Sequence, residues 1–297
     1  MINLTETPSY DKGNWNRWGK DDERGTLNLI TPEVVTKAAN LVKKGKTYAL
    51  GIAIRHTGYG VPSFPTRVPP IHVATYFKSG EGRGGGDDYV VLNTHNQTHL
   101  DSLAHVFIDN KLYNGHGVEN LTSAGSEKNS IDKVGCIFTR GLLIDMAGFK
   151  GVDHMEKGQV INSEDMTRCA NAEGVKFEAG DAVLVRTGAL KTYDKKNPIE
   201  FFRGTAGLGI DTIDLFDSKE TAVVGADNYS IEVEPSEAGG FVTPLHENLL
   251  WKRGMQLIEL IDLDALARDK VYEFLFVVAP LRIEKGLGSP INPIAIC

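Results

Sequence analysis

Residues 93 to 105 read Asn-Thr-His-Asn-Gln-Thr-His-Leu-Asp-Ser-Leu-Ala-His. They hold three of the chain's eight histidines, His95, His99 and His105, with Asp101 among them. Imidazole and carboxylate are common ligands of zinc-like metals. A lone histidine is usually a surface group or a satisfied polar one, but four such groups in eleven residues point to a metal site. Two histidines and one carboxylate leave a coordination position open for water. A divalent ion there lowers the water's pKa to about 7 and polarises a carbonyl. A departing amine or alkoxide then needs a proton, and a histidine titrating near neutrality suits that task. His105 is the candidate proton carrier.

The offsets within the stretch are 0, +4, +6 and +10. A single helix would spread the four side chains over two opposed faces. A single strand would align them but separate the ends by roughly 33 Å. The spacing therefore predicts a strand end, a tight turn and then a helix. Tyr89 to Leu92 supply the strand, the turn carries His95 and His99, and Asp101 and His105 lie one helical turn apart.

The rest of the chain bounds the setting. The 297 residues are 41% hydrophobic and 24% charged, an ordinary globular balance, with a net charge of −7. That charge argues against a nucleic-acid or anionic-membrane surface. Three scattered cysteines, Cys136, Cys169 and Cys297, give neither a disulfide framework nor a thiolate zinc knuckle. No secretory signal and no apolar run of membrane-spanning length is found. A reducing, cytoplasmic location is expected, with a small molecule rather than a nucleic acid or membrane as partner.

Along the chain, residues 1 to 32 look irregular and include Trp15 and Trp18. These either cover a pocket, in this subunit or a neighbour, or anchor a loop to the core. Thr31-Pro32 starts a helix that runs to about Lys43. Strands are expected at 47–54, 71–77, 137–145, 182–187, 222–226, 256–260 and 273–279. Residues 57–70 read as loop, and residues 79–88 as a flexible, glycine-rich connection. Helices are expected at 164–172, 199–203, 211–215, 244–253 and 263–268. Val106-Phe107 and residues 111–115 make a turn beside the site, so Phe107 is a candidate substrate contact. Strands and short helices alternate without a regular βαβ rhythm, which gives an α/β or α+β fold class. His56, His72, His116 and His154 stand alone and are expected to be structural or exposed. His246 also stands alone by spacing. Glu259 sits in the apolar run Leu257-Ile258-Glu259-Leu260-Ile261, where a carboxylate needs a partner unless it faces outward.

The motif His95-Asn96-Gln97-Thr98-His99-Leu100-Asp101-Ser102-Leu103-Ala104-His105 resembles that of the cyclase family of metal-dependent hydrolases, His-x-Gly-Thr-His-x-Asp-x-Pro-x-His. Gln97 and Leu103 replace its Gly and Pro. Asn16-Arg17-Trp18-Gly19 and Gly25-Thr26-Leu27-Asn28 resemble a longer-chain branch of the family. The resemblance implies a swivelling β/β/α domain over residues 1–297, built around a mixed, barrel-like sheet with flanking helices, with residues 1–32 as an N-terminal arm. It implies His95, His99 and Asp101 as metal ligands, His105 as general acid/base, and His246 and Glu259 as the later His and carboxylate of the site. It further implies one or two Zn2+ or Mn2+ ions per subunit and a homodimer or homotetramer. The substrate class it implies is a cyclic amide (a lactam or isatin-like ring) or an aryl formamide, with a lactone or ester as the alternative. Gly at the third motif position permits a turn that Gln takes only with strain. Either the turn differs here, or the Gln97 amide points at substrate. Trp15 and Trp18 become candidate pocket residues. Two other classes stay open on the residues alone: a mononuclear iron oxygenase, which also uses two His and a carboxylate, and a metal-binding protein without catalysis.

Overall fold

The computed structural model describes residues 13–54, 67–194, 196–240 and 242–297. Nine strands form one mixed sheet. In chain order they are β1 (Thr47–Ala49), β4 (His99–Asp101), β5 (Ile137–Asp145), β6 (Ala182–Arg186), β7 (Val223–Ala226), β8 (Gln256–Glu259), β9 (Glu273–Val278), β10 (Gly288–Pro290) and β11 (Ile294–Ile296). A separate hairpin holds β2 (Ile71–Gly80) and β3 (Arg83–Val91). Across the sheet the order is β1-β11-β9-β5-β6-β7-β8-β4-β10. The four central strands β5 to β8 run parallel, and antiparallel pairs flank them on both sides.

Each central strand carries an apolar run, 142–144, 182–185, 223–226 and 257–258, where both of its faces are covered. Leu142, Ile144, Val183, Val185, Val224 and Ala226 face one core, and the alternating Leu143, Ala182, Leu184 and Val223 face a second. The helix Ser163–Glu173 covers the first core with Met166, Cys169 and Ala170, one stripe at helical spacing. Asn162 caps it, its side chain accepting from Asp165 N–H at 2.7 Å. The expectation of a mixed sheet with flanking helices is met, and the sheet curls into a half-barrel.

Several expected boundaries move. The first helix spans Pro32–Ala39, and the strand expected over 47–54 is ordered as strand only at Thr47–Ala49. Residues 57–66 of the expected loop, His56 and residues 1–12 lie outside the described residues. The connection expected over 79–88 is instead a tight turn at Glu81 and Gly82, both at positive φ (46° and 76°). That conformation matches the twist of a two-residue hairpin. Gly84, Gly85 and Gly86 continue β3, and the Phe77 ring lies over Gly85, where a Cβ would meet it at 3.0 Å. Ile71, Val73, Phe77, Tyr89 and Val91 share one face of this hairpin and are all exposed.

Candidate metal centre

The largest departure from the expected elements falls on the site itself. His99 and Asp101 belong to β4, not to a turn and a helix, and His105 follows in an irregular turn. The four-residue step between Asp101 and His105 suits a helix. A strand does the same work differently. With period 2, His99 and Asp101 project from one face while Leu100 enters the core on the other. The strand is only three residues long, too short for periodicity to reveal.

β4 is held between two neighbours, and both shape the site. On one side it pairs antiparallel with β8, with His99 directly opposite Glu259. Cross-strand neighbours share a face, so Glu259 Oε2 comes within 3.3 Å of His99 Nε2. On the other side it pairs with β10, with Asp101 opposite Gly288. A Cβ on Gly288 would lie 2.7 Å from His95 Nε2, so the bare backbone there leaves room for the ring. Nothing in the sequence marked Gly288.

The loop before β4 brings His95 in. Its Nε2 lies 3.4 Å from Asp101 Oδ1, as does the Nε2 of His99. His105 stacks on His95, with centroids 4.1 Å apart and planes 24° apart. His246 opens a π-helical segment, His246–Lys252, a geometry frequent at functional sites. Its Nε2 sits 3.2 Å from Glu259 Oε1 and 3.7 Å from Asp101 Oδ2. His95, His99, Asp101, His246 and Glu259 are all buried, and His105 is the most open of the cluster. Two groups of ligand atoms gather within 4.8 Å: His95 with Asp101 and His105, and Asp101 with His246 and Glu259. Asp101 belongs to both, and His99 stands between the two carboxylates.

The donor atoms fit a cation. His95 Nε2, His99 Nε2 and both Asp101 oxygens are buried without a hydrogen-bond partner. Such groups are costly unless something unlike hydrogen-bonded protein satisfies them. The outer nitrogens are spoken for: His99 Nδ1–H donates to Gln97 O at 2.9 Å, and His246 Nδ1–H to Glu232 Oε1 at 2.7 Å. This is how ligating imidazoles are oriented. Burial pushes the His246 pKa down, but hydrogen bonds to Glu232 and Glu259 outweigh it and hold the ring well above its ordinary value. Burial also lowers His99, and Asp101 and Glu259 reverse the sign. Desolvation dominates at His95 and His105, and both fall. Asp101 is pushed up by burial, yet the surrounding histidines, His105 foremost, hold it well below the carboxylate range. The pocket is electronegative and draws positive charge.

Gln97 keeps the turn that glycine favours. Its φ is +58°, at a cost of about 1–2 kcal/mol for a residue with a Cβ, and that backbone turns its carbonyl to His99. Its side chain is 1% exposed, and both amide atoms lack partners. A cavity of about 490 Å3 lies against it, bounded by Ile52, Ile54, Leu281 and Asn292 among others.

The remaining candidates stand further out. Trp15 Nε1–H donates to Trp251 O at 3.0 Å, and the two indoles meet edge to face at 4.9 Å. Asn14 N–H and Nδ2–H donate to the carbonyls of Lys252 and Arg253. The arm thus braces the segment that carries His246 in the same chain. Trp18 carries the Arg17 guanidinium 4.7 Å over its ring, and Phe107 is exposed. His72 is exposed and paired with Asp88. Glu232 and Gly288 are the site residues that sequence reasoning missed.

The family model described as "Putative cyclase" matches residues 16–233 of this chain. The chain belongs to the cyclase family. That match contains the histidine-rich motif and ends before His246 and Glu259. Isatin hydrolase of Roseibium aggregatum is 26% identical over 247 residues, covering 79% of this chain and 84% of that protein. The crystal structure of a novel cyclase superposes with a TM-score of 0.89 at 32% identity, covering 98% of this chain and 99% of the other. Isatin hydrolase A from Ralstonia solanacearum shares the fold, with a TM-score of 0.61 at 17% identity, covering 84% and 91%.

Proposed function

We propose that this cyclase-family chain is a metal-dependent hydrolase of the carbon–nitrogen bond of a cyclic amide or an aryl formamide. The observation that carries this reading is Asp101: buried, with both oxygens unpartnered, and shared by two groups of ligand atoms. Similarity to isatin hydrolase supports the substrate class. His95, His99, Asp101, His246 and Glu259 would hold the ions, and the sharing of Asp101 favours two over one. Zn2+ and Mn2+ both accept such N and O donors. When bound, a divalent ion supplies Lewis acidity and acidifies a coordinated water.

The chain's own groups do the rest. His105, stacked on His95 at the open side of the cluster, takes a proton and returns it to the departing nitrogen. Gln97 offers an amide donor toward the substrate, with its backbone meanwhile fixing His99. A lactone or ester would suit the same machinery. The set of His95, His99, His105, His246, Asp101 and Glu259 exceeds the three ligands of a mononuclear iron oxygenase, which weighs against that class. The exposed apolar face of the hairpin, Ile71, Val73, Phe77, Tyr89 and Val91, is the surface offered for the expected homodimer or homotetramer.

The test is a chelator-sensitive hydrolysis screen of formamides, lactams, isatin-like rings and lactones, with metal content measured alongside. His105→Ala should keep its metal and lose at least about 100-fold in turnover. Turnover that survives would remove His105 as proton carrier, and metal loss would make it a ligand.

A further inference from the structure

Glu232 lies 127 residues beyond His105 in the chain and in neither group of ligand atoms, yet it is 1% exposed. Its backbone is held in a strained position. The preceding Ile231 adopts φ +61°, which costs a β-branched residue roughly 1–3 kcal/mol. Asn228 locks that conformation, its Oδ1 accepting from Ile231 N–H at 2.7 Å and its Nδ2–H donating to Ala206 O at 2.8 Å. Ser230 Oγ–H donates to Glu232 O at 2.8 Å.

The carboxylate that results is aimed at one place. Oε2 accepts from Leu245 N–H at 3.1 Å, and Oε1 accepts from His246 N–H at 3.4 Å and from His246 Nδ1–H at 2.7 Å. Among the described residues His246 is its ion-pair partner, and no Lys or Arg pairs with it. An ionised carboxylate only accepts. Facing it, Nδ1 carries the hydrogen, so Nε2 is the nitrogen aimed at Asp101 and Glu259 and the one whose proton a cation would displace. We propose that Glu232 is a positioning residue for the metal centre. It fixes the His246 ring and tautomer so that Nε2 is presented as a ligand atom. Outer carboxylates of this kind typically alter metal affinity about 10–100-fold.

This inference rests on the metal reading of the site, and the experiment separates the two. Zn2+ affinity is measured on the metal-stripped full chain by competition with a chromogenic chelator, for the natural protein and for Glu232→Gln. Gln fills the same volume but has one acceptor oxygen, so either the ring or the Leu245 amide faces an NH2 group. At least one Zn2+ binding step should weaken about 10–100-fold. If the natural protein binds no Zn2+, the metal reading fails. If it binds Zn2+ and the variant's isotherms superimpose on it, Glu232 has no positioning role. A variant that does not fold leaves a second measurement, 15N histidine correlation spectra of the natural protein loaded with Zn2+. His246 should show metal at Nε2 and hydrogen at Nδ1, and the opposite assignment overturns the proposal.

Discussion

Two sets of buried carboxylates occupy this molecule, and they are satisfied differently. Asp181 is bound twice by Arg140, from Nε at 2.8 Å and from Nη2 at 2.7 Å, with Glu273 adding a third contact. Asp145 is held by Arg186 at 2.7 Å, and the same guanidinium reaches the half-exposed Asp264 at 2.7 Å. Each arginine fork supplies a permanent charge and matching donors, so these pairs are complete as they stand. Asp101, Glu232 and Glu259 are as deeply buried, yet among the described residues they pair only with histidines. An imidazole meets a carboxylate fully only when it is protonated. Glu232 is completed by the Leu245 and His246 donors, whereas Asp101 and Glu259, which lie in a group of ligand atoms, would be completed by added cations under the proposed function. Under the proposed function, the difference separates acids that hold the fold together from acids that serve the metal centre.

The contrast breaks most readily at Arg140. Arg140→Ala strands Asp181 in the interior and should destabilise the fold by about 3–5 kcal/mol, read from denaturant unfolding, with metal content per folded chain unchanged. Metal lost in proportion would mean that the two sets are not separate.

A smaller effect is expected at Gln97, where the site leaves an amide unsatisfied. Gln97→Gly should raise KM several-fold, about 1 kcal/mol of lost binding, while the relieved φ keeps the protein at least as stable. An unchanged KM would take the amide out of substrate recognition.

The smallest effect tests an exception on the structural side. Glu173 Oε1 accepts from Asp145 N–H, but its Oε2 is buried and unpartnered. Burial pushes its pKa up to about 7 from 4.5, and the charge of Asp145 adds to the rise. Between these values the folded chain binds the proton and the unfolded chain does not, so the contribution to stability falls as pH rises through that window. The cost is fully present above pH 7 and absent below 4.5. Glu173→Gln should be more stable than the natural protein at pH 8, by on the order of 1 kcal/mol after allowance for solvent screening, and equal to it near pH 4. Equal stability at both pH values would show that Glu173 is solvated.

How far the sequence could be read follows from the same physics. His95, His99, Asp101 and His105 lie within one eleven-residue window, so their density was visible before any fold was known. The parallel strands at 137–145 and 182–187 are visible because each carries a short apolar run, at 142–144 and 182–185. His246 was not distinguishable from His116 by spacing, and resemblance to the family brought it forward. Glu259 stands out by its residues only as an acid in an apolar strand, and the family resemblance places it in the site. Its role depends on the register between β8 and β4, which no local pattern encodes. Glu232 and Gly288 act through contacts across long stretches of chain, and their residue types carry no signal. Asp101 and His105 depart from the expected helix for a related reason. A three-residue strand between two partners is set by its neighbours rather than by its own propensity.

The most direct test of the central claim is the metal content of the purified chain, after stripping and reloading, beside that of Asp101→Ala. Two divalent ions per natural chain and neither retained by the variant is the predicted result. A natural chain that binds none, or a variant that keeps both, would contradict the account.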